Sequence, residues 1–135
     1  MTDKTGTETP ARVVVCIEDE AEMIELVRLI LKNRGFEVVG AMSGEDGLET
    51  ITKINPDLVL LDLMMPDMSG WDVYQRMKAD DEMAKIPVIV ITARAENIDK
   101  MLGLHIARVQ DYITKPFSPA QLLNSIKRVL KLDDV

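Results

Sequence analysis

Short apolar runs alternate with amphipathic stretches along this chain, and the alternation repeats five times. Residues 13–17 are dominated by valine and isoleucine, and residues 58–61 and 88–91 are continuously apolar. Unbroken apolar runs of this length suit strands covered on both faces, as in the middle of a parallel sheet. Shorter runs at 37–41 and 112–114 bring the strands to five. Between the first two, Met23, Ile24, Val27, Ile30 and Leu31 recur at helical spacing over residues 21–34, and Gly35 supplies a stop. Ser43 ahead of Asp46 opens a second helix that Asn55-Pro56 ends. Ser69 ahead of Asp72 caps a third that reaches residue 79, and Pro87 introduces the fourth strand. Residues 98–104 supply a fourth helix, and Ser118-Pro119 opens a last one with proline in its first turn. Five strand–helix units predict an α/β fold: a (βα)5 doubly wound parallel sheet with right-handed crossovers and helices on both faces.

With 135 residues the chain fits one domain with one continuous core. Residues 1–10 are polar and Thr-rich, unlike a secretory signal or an anchor, and are expected to be a flexible arm ahead of a domain at 11–135. No apolar run approaches the roughly 20 residues that span a bilayer, so no membrane contact is expected. A net charge of -7 argues against direct binding of nucleic acid. The single cysteine, Cys16, excludes an intramolecular disulfide and suits a reducing, cytoplasmic setting. Its place inside an apolar strand favours inert packing over reactivity.

Candidate chemistry lies at the strand ends. Glu18 and Asp19 follow the first strand, Asp62 ends the third, Thr92 the fourth, and Lys115 the fifth. In a parallel sheet all these ends share one edge, the edge where ligands collect in open α/β folds. Carboxylates gathered there repel one another, and a hard divalent cation relieves the repulsion. Mg2+ suits such a site because it takes few protein carboxylates and retains waters and phosphate oxygens. Asp62 is then placed to act as a nucleophile forming an aspartyl-phosphate, with Thr92 and Lys115 holding the remaining phosphoryl oxygens.

Glu18-Asp19, Asp62 ahead of Met64-Met65-Pro66, Thr92-Ala93, and Tyr112-Ile113-Thr114-Lys115-Pro116-Phe117, in this order, closely resemble the receiver domain of two-component response regulators. The resemblance covers residues 12–131 and implies the flavodoxin-like strand order 2-1-3-4-5. It implies Asp62 as phosphoacceptor, Asp19 as a direct Mg2+ ligand, Glu18 acting through metal-bound water, and the Met64 backbone carbonyl completing the metal shell. Lys115 matches the phosphate-binding lysine, followed by a cis bond to Pro116. Thr92 and Tyr112 match the switch pair, which reshapes the face built from the fourth and fifth helices and the fifth strand. Ala93 is small, leaving room for the phosphodonor. The implied partners are a sensor histidine kinase or histidine phosphotransfer protein upstream and an unspecified protein target downstream. The implied enzymatic activity is limited to self-phosphorylation and autodephosphorylation. No DNA-binding or enzymatic output domain is expected within the chain.

Two departures stand out. Residues 107–111 read Ala-Arg-Val-Gln-Asp where receivers commonly carry Gly-Ala-Asp-Asp, so the turn into the fifth strand should be built differently. Gln110 and Gln121 replace acids common in receivers that dimerise through this face, which favours a monomer or a weak phosphorylation-dependent dimer.

Plainer readings compete at each position. Asp62 could cap a loop, Glu20 could cap the first helix, Thr92 could simply end a strand, Tyr112 could be core, and Lys115 could be a surface charge. The main alternative function is a pseudo-receiver scaffold that binds partners without phosphorylation, but such domains usually lose the acids or the lysine. A haloacid-dehalogenase-type phosphatase expects a second aspartate where this chain has Met64, and a flavodoxin-like carrier would find its phosphate repelled by Glu18-Asp19-Glu20. His105 and Trp71 are expected at the surface and at the start of the third helix, respectively.

Overall fold

The computed structural model describes residues 11–66, 68–93 and 109–132. In chain order these form β1 (Arg12–Ile17), α1 (Ala21–Leu31), β2 (Phe36–Ala41), α2 (Gly44–Ile54), β3 (Leu58–Asp62) and α3 (Gly70–Ala79). A 3-10 turn (Met83–Lys85), β4 (Val88–Thr92), β5 (Asp111–Thr114) and a helix termed α4 (Pro119–Leu130) follow. The five strands are parallel in the order β2-β1-β3-β4-β5, as expected. The expected arm at 1–10, the helix at 98–104, His105 and the first part of the altered turn lie outside the described residues.

Alternate residues of each strand serve opposite faces of the sheet. Val15, Ile17, Val59, Leu61, Val88 and Val90 pack with Ile51 of α2 and with Val73 and Met77 of α3. Val14, Cys16, Leu58, Leu60, Ile89 and Ile91 pack on the other side with Val27 and Leu31 of α1 and with Leu122 and Ile126 of α4. Every residue of β3 and β4 is buried, which accounts for their unbroken apolar sequences. Among the described residues, no helix is long and apolar enough to cross a membrane.

The element ends follow local chemistry. Ser43, Ser69 and Ser118 each accept a hydrogen bond from the backbone N–H three residues on, capping α2, α3 and α4. Only Ser118 forms a full reciprocal box, with Gln121, because Asp46 and Asp72 hold the corresponding place in the other two helices. The first helix ends at Leu31, three residues before its expected end. Asn33 and Gly35 take left-handed conformations (φ 62° and 85°) and turn the chain straight into β2.

Two side chains act as surrogate backbone. Asp57 accepts from the Val13 N–H at 2.8 Å while its own N–H donates to the Val13 carbonyl, locking the entry of β3 onto β1. Gln110 does the same for β5: its side-chain oxygen accepts from the Val88 N–H at 2.7 Å and its N–H donates to the Val88 carbonyl at 3.0 Å. Gln110 thus holds the entry to β5.

Asp111 ties β5 to α4. Its carboxylate accepts from the Ser125 hydroxyl at 2.5 Å, from the Tyr112 N–H at 2.8 Å and from the Arg128 guanidinium. Burial works to raise its pKa, but these three donors outweigh burial and hold it below the ordinary carboxylate value. A depressed folded-state pKa stabilises the fold above the unfolded value, and that contribution disappears as pH falls through the folded value. Asp111→Asn is therefore expected to cost about 1–2 kcal/mol at pH 7, read by urea denaturation, with the deficit shrinking towards pH 3.

Candidate active site

The parallel order sets the C-terminal ends of β1, β3, β4 and β5 along one edge. Ile17 is in register with Leu61, so Glu18 and Asp19 leave β1 beside Asp62. Glu18, Asp19 and Asp62 each offer a carboxylate oxygen, and these oxygens lie within 4.8 Å of one another. Asp62 and Glu18 are buried and Asp19 is half-buried. Thr92, also fully buried, is in register with Thr114, which brings Lys115 alongside.

Hydrogen bonds fix each group. The Met64 N–H donates to Asp62 Oδ1 at 3.0 Å, and the Glu20 N–H donates to Glu18 Oε2 at 3.3 Å. The Lys115 N–H donates to the Thr92 carbonyl at 2.8 Å. Its ammonium reaches over to β1 and donates to Glu18 Oε1 at 2.8 Å, with Asp62 Oδ2 at 3.6 Å and Glu20 Oε1 at 3.8 Å. The Lys115–Pro116 peptide is cis.

The electrostatics follow from that crowding. Burial pushes the Glu18 carboxyl up to about 7; the Lys115 hydrogen bond opposes this, and the charge of Asp62 adds to it. A raised carboxyl pKa favours folding only at low pH, so ionised Glu18 opposes the fold as pH climbs through that range. Burial pulls the Lys115 ammonium down, but its bond to Glu18 and the charges of Asp62, Glu18 and Glu20 outweigh burial and raise it. Burial and the Glu18 charge push the Cys16 thiol up to about 12, in keeping with inert packing. The donor set facing the cleft is hard oxygen, which fits Mg2+ rather than a softer ion.

The structure brings together Glu18, Asp19, Asp62, Lys115 and the backbone of Thr92. Ala93 and Met64 are exposed at the rim, and the Met64 N–H is committed to Asp62. Tyr112 stands apart from this group on edge strand β5, opposite Val90 and 47% exposed, so it is not core. Trp71 is half-buried at the start of α3 and stacks on Tyr74 at 5.3 Å.

Three features of the site have no counterpart in the sequence pattern. Glu18 pairs directly with Lys115. Glu20, expected as a helix cap, occupies the cap position without a capping hydrogen bond from its side chain, which lies near Lys115. Gly70 does more than begin α3: a Cβ there would stand 2.2 Å from the Asp62 carbonyl oxygen and 2.7 Å from Leu63 Cα. The glycine lets the helix start close against the strand end that carries Asp62.

The family model for the response regulator receiver domain matches residues 14–127. This chain belongs to that family. Among curated relatives of this receiver, the DNA-binding response regulator MtrA of Mycobacterium tuberculosis is 33% identical over 127 residues, covering 94% of this chain and 54% of its own length. The phosphate regulon transcriptional regulatory protein PhoB of Pseudomonas aeruginosa is 37% identical over 120 residues, covering 89% and 52%. The receiver chain thus spans about half the length of the curated relatives it matches. A putative response regulator from Chloroflexus aurantiacus superposes with a TM-score of 0.81 at 29% identity, over 90% of this chain and 98% of its own. The receiver domain of the sensor histidine kinase PA1611 from Pseudomonas aeruginosa, solved with magnesium in its active site cleft, shares the fold (TM-score 0.80, 23% identity, 90% and 98% covered).

Gly70→Ala forces Asp62 and Leu63 backbone atoms to move, since backbone cannot yield like a flexible side chain. It is expected to destabilise this receiver by about 1–3 kcal/mol in urea denaturation.

Proposed function

We propose that this receiver accepts a phosphoryl group on Asp62 from a phosphohistidine of a sensor histidine kinase or histidine phosphotransfer protein, with Mg2+ as cofactor. The observation that carries the proposal is the gathering of buried Glu18 and Asp62 with half-buried Asp19 within 4.8 Å, with the Lys115 ammonium in contact with Glu18 and Asp62. Asp19 and Asp62, the Met64 carbonyl, and Glu18 through water would hold the cation. Mg2+ supplies charge neutralisation at the carboxylates and at the incoming phosphoryl oxygens.

The protein's own groups do the rest. An Asp62 oxygen attacks phosphorus, the P–N bond to the donor imidazole breaks, and the electron pair leaves with that ring. The Met64 N–H holds the other Asp62 oxygen and so orients the nucleophile. Lys115 gives up its carboxylate contacts to pair with a phosphoryl oxygen, and Thr92 donates its hydroxyl to another. Exposed Ala93 leaves the approach open. The inward draw on Thr92 is relayed to Tyr112, whose ring moves on the exposed β5 edge and alters the surface offered to a downstream protein. The receiver acts through protein contacts rather than on nucleic acid, as its charge of -7 suggests, and as a monomer or weak phosphorylation-dependent dimer.

Intact-mass analysis after incubation with acetyl phosphate tests this reading. One phosphoryl adduct is expected, requiring Mg2+ and absent from Asp62→Asn. Failure to label, where another receiver is labelled, would favour a pseudo-receiver scaffold that binds partners without phosphorylation.

Met64 bears on how long the phosphoryl group survives. Its exposed thioether is a weak hydrogen-bond acceptor and does little to orient an attacking water. Met64→Asn, which adds a donor and an acceptor there, is expected to shorten the aspartyl-phosphate half-life several-fold in a decay time course; an unchanged half-life removes this role.

A further inference from the structure

We infer that Glu20 is a specificity-determining residue that disfavours small, highly charged phosphodonors such as free acyl phosphates at this site. The inference rests on Asp62 being the phosphoacceptor. Glu20 stands at the mouth of the cleft with its side chain 67% exposed, while Lys115 is 14% and Glu18 is 2% exposed. Its carboxylate serves no capping bond to α1 and instead faces the Lys115 ammonium at 3.8 Å.

Two consequences follow from that position, and both have the same sign. An outward-facing carboxylate raises the electrostatic cost of bringing in a dianion, because clefts focus the field of the charges that line them. The same carboxylate competes with an arriving phosphoryl oxygen for Lys115, whose ammonium already serves Glu18 and Asp62. A phosphohistidine carried on a docked protein overcomes this barrier through its interface contacts. A free acyl phosphate has no such compensation.

The reaction with acetyl phosphate is balanced without a proton. An Asp62 oxygen bonds to phosphorus, the bond from phosphorus to the acetyl oxygen breaks, and acetate leaves with the electron pair. Its rate in the full chain at saturating Mg2+ is therefore a direct gauge of the barrier. The informative series is wild type, Glu20→Gln and Glu20→Lys, with Glu82→Gln as a charge-matched control. Glu82 is exposed and paired with Lys85 ahead of β4, at the opposite edge of the sheet from the cleft.

The expected order of rates with acetyl phosphate at low salt is Lys above Gln above Glu at position 20. Each step should be about three- to tenfold, with Glu82→Gln at the wild-type rate. The gap should narrow with phosphoramidate, which carries less negative charge, and should narrow again as salt is raised towards about 0.5 M. Equal rates for wild type and Glu20→Gln, or a slower variant, would overturn the inference. So would a gap insensitive to salt and donor charge, which would make Glu20 a positioning residue for Lys115 alone. Absence of any Asp62-dependent adduct in wild type and in both Glu20 variants would instead overturn the phosphoacceptor reading, and this inference with it.

Discussion

Carboxylates that repel one another, held together by backbone they cannot escape, are the constraint on which the rest of this receiver depends. Glu18 and Asp62 sit at the ends of adjacent, buried strands, and hydrogen bonds from the Glu20 and Met64 N–H groups tie them down. Lys115 brings one ammonium to Glu18, Glu20 and Asp62. One positive charge does not balance them, and the Glu18 pKa is raised chiefly by burial, with the charge of Asp62 adding to it against the Lys115 hydrogen bond. The remainder of the fold keeps the arrangement from relaxing. The close start of α3 at Gly70 and the full burial of β3 and β4 leave the strand ends little room to spread.

Much of this was legible in the sequence because buried parallel strands write themselves as unbroken apolar runs, and their ends are marked where polar residues begin. The third strand is the clearest case: Leu58 to Leu61 is apolar throughout, and Asp62 closes the run. Strand order came from family resemblance, and the register then followed. The end of α1 was misplaced because Lys32, Asn33 and Arg34 are compatible with a helix, and only the extended backbone of Lys32 and the left-handed turn at Asn33 show that the chain has left it. Contacts spanning the fold were the least visible. Lys115 meets Glu18 across 97 residues, and no local pattern encodes which carboxylate a flexible ammonium selects. Gln110 at Val88 and Glu20 at Lys115 were missed for the same reason.

The two edges of the sheet divide the labour. The C-terminal edge holds the charged cleft, and side chains of β5 carry contacts outward: Asp111 to α4, and exposed Tyr112 to the surface. A group bound at the cleft would alter Lys115 and Thr92 first, and these adjoin β5 through the Lys115 N–H bond to the Thr92 carbonyl. Under the proposed function, this short path would let local electrostatics bias packing at the β5 edge. The unliganded site itself holds three carboxylates, Glu18, Asp19 and Asp62, against the single Lys115 ammonium, a charge imbalance.

That imbalance is directly measurable through the stability of the chain with and without a divalent cation. A ligand that binds only the folded state stabilises it by about 1.4 kcal/mol at roughly ten times its dissociation constant. Thermal unfolding at pH 8 should move to higher temperature as Mg2+ is added to chelator-treated wild type, and Asp19→Asn should lose most of that shift. A wild-type midpoint indifferent to Mg2+, or an equal shift in Asp19→Asn, would contradict the account.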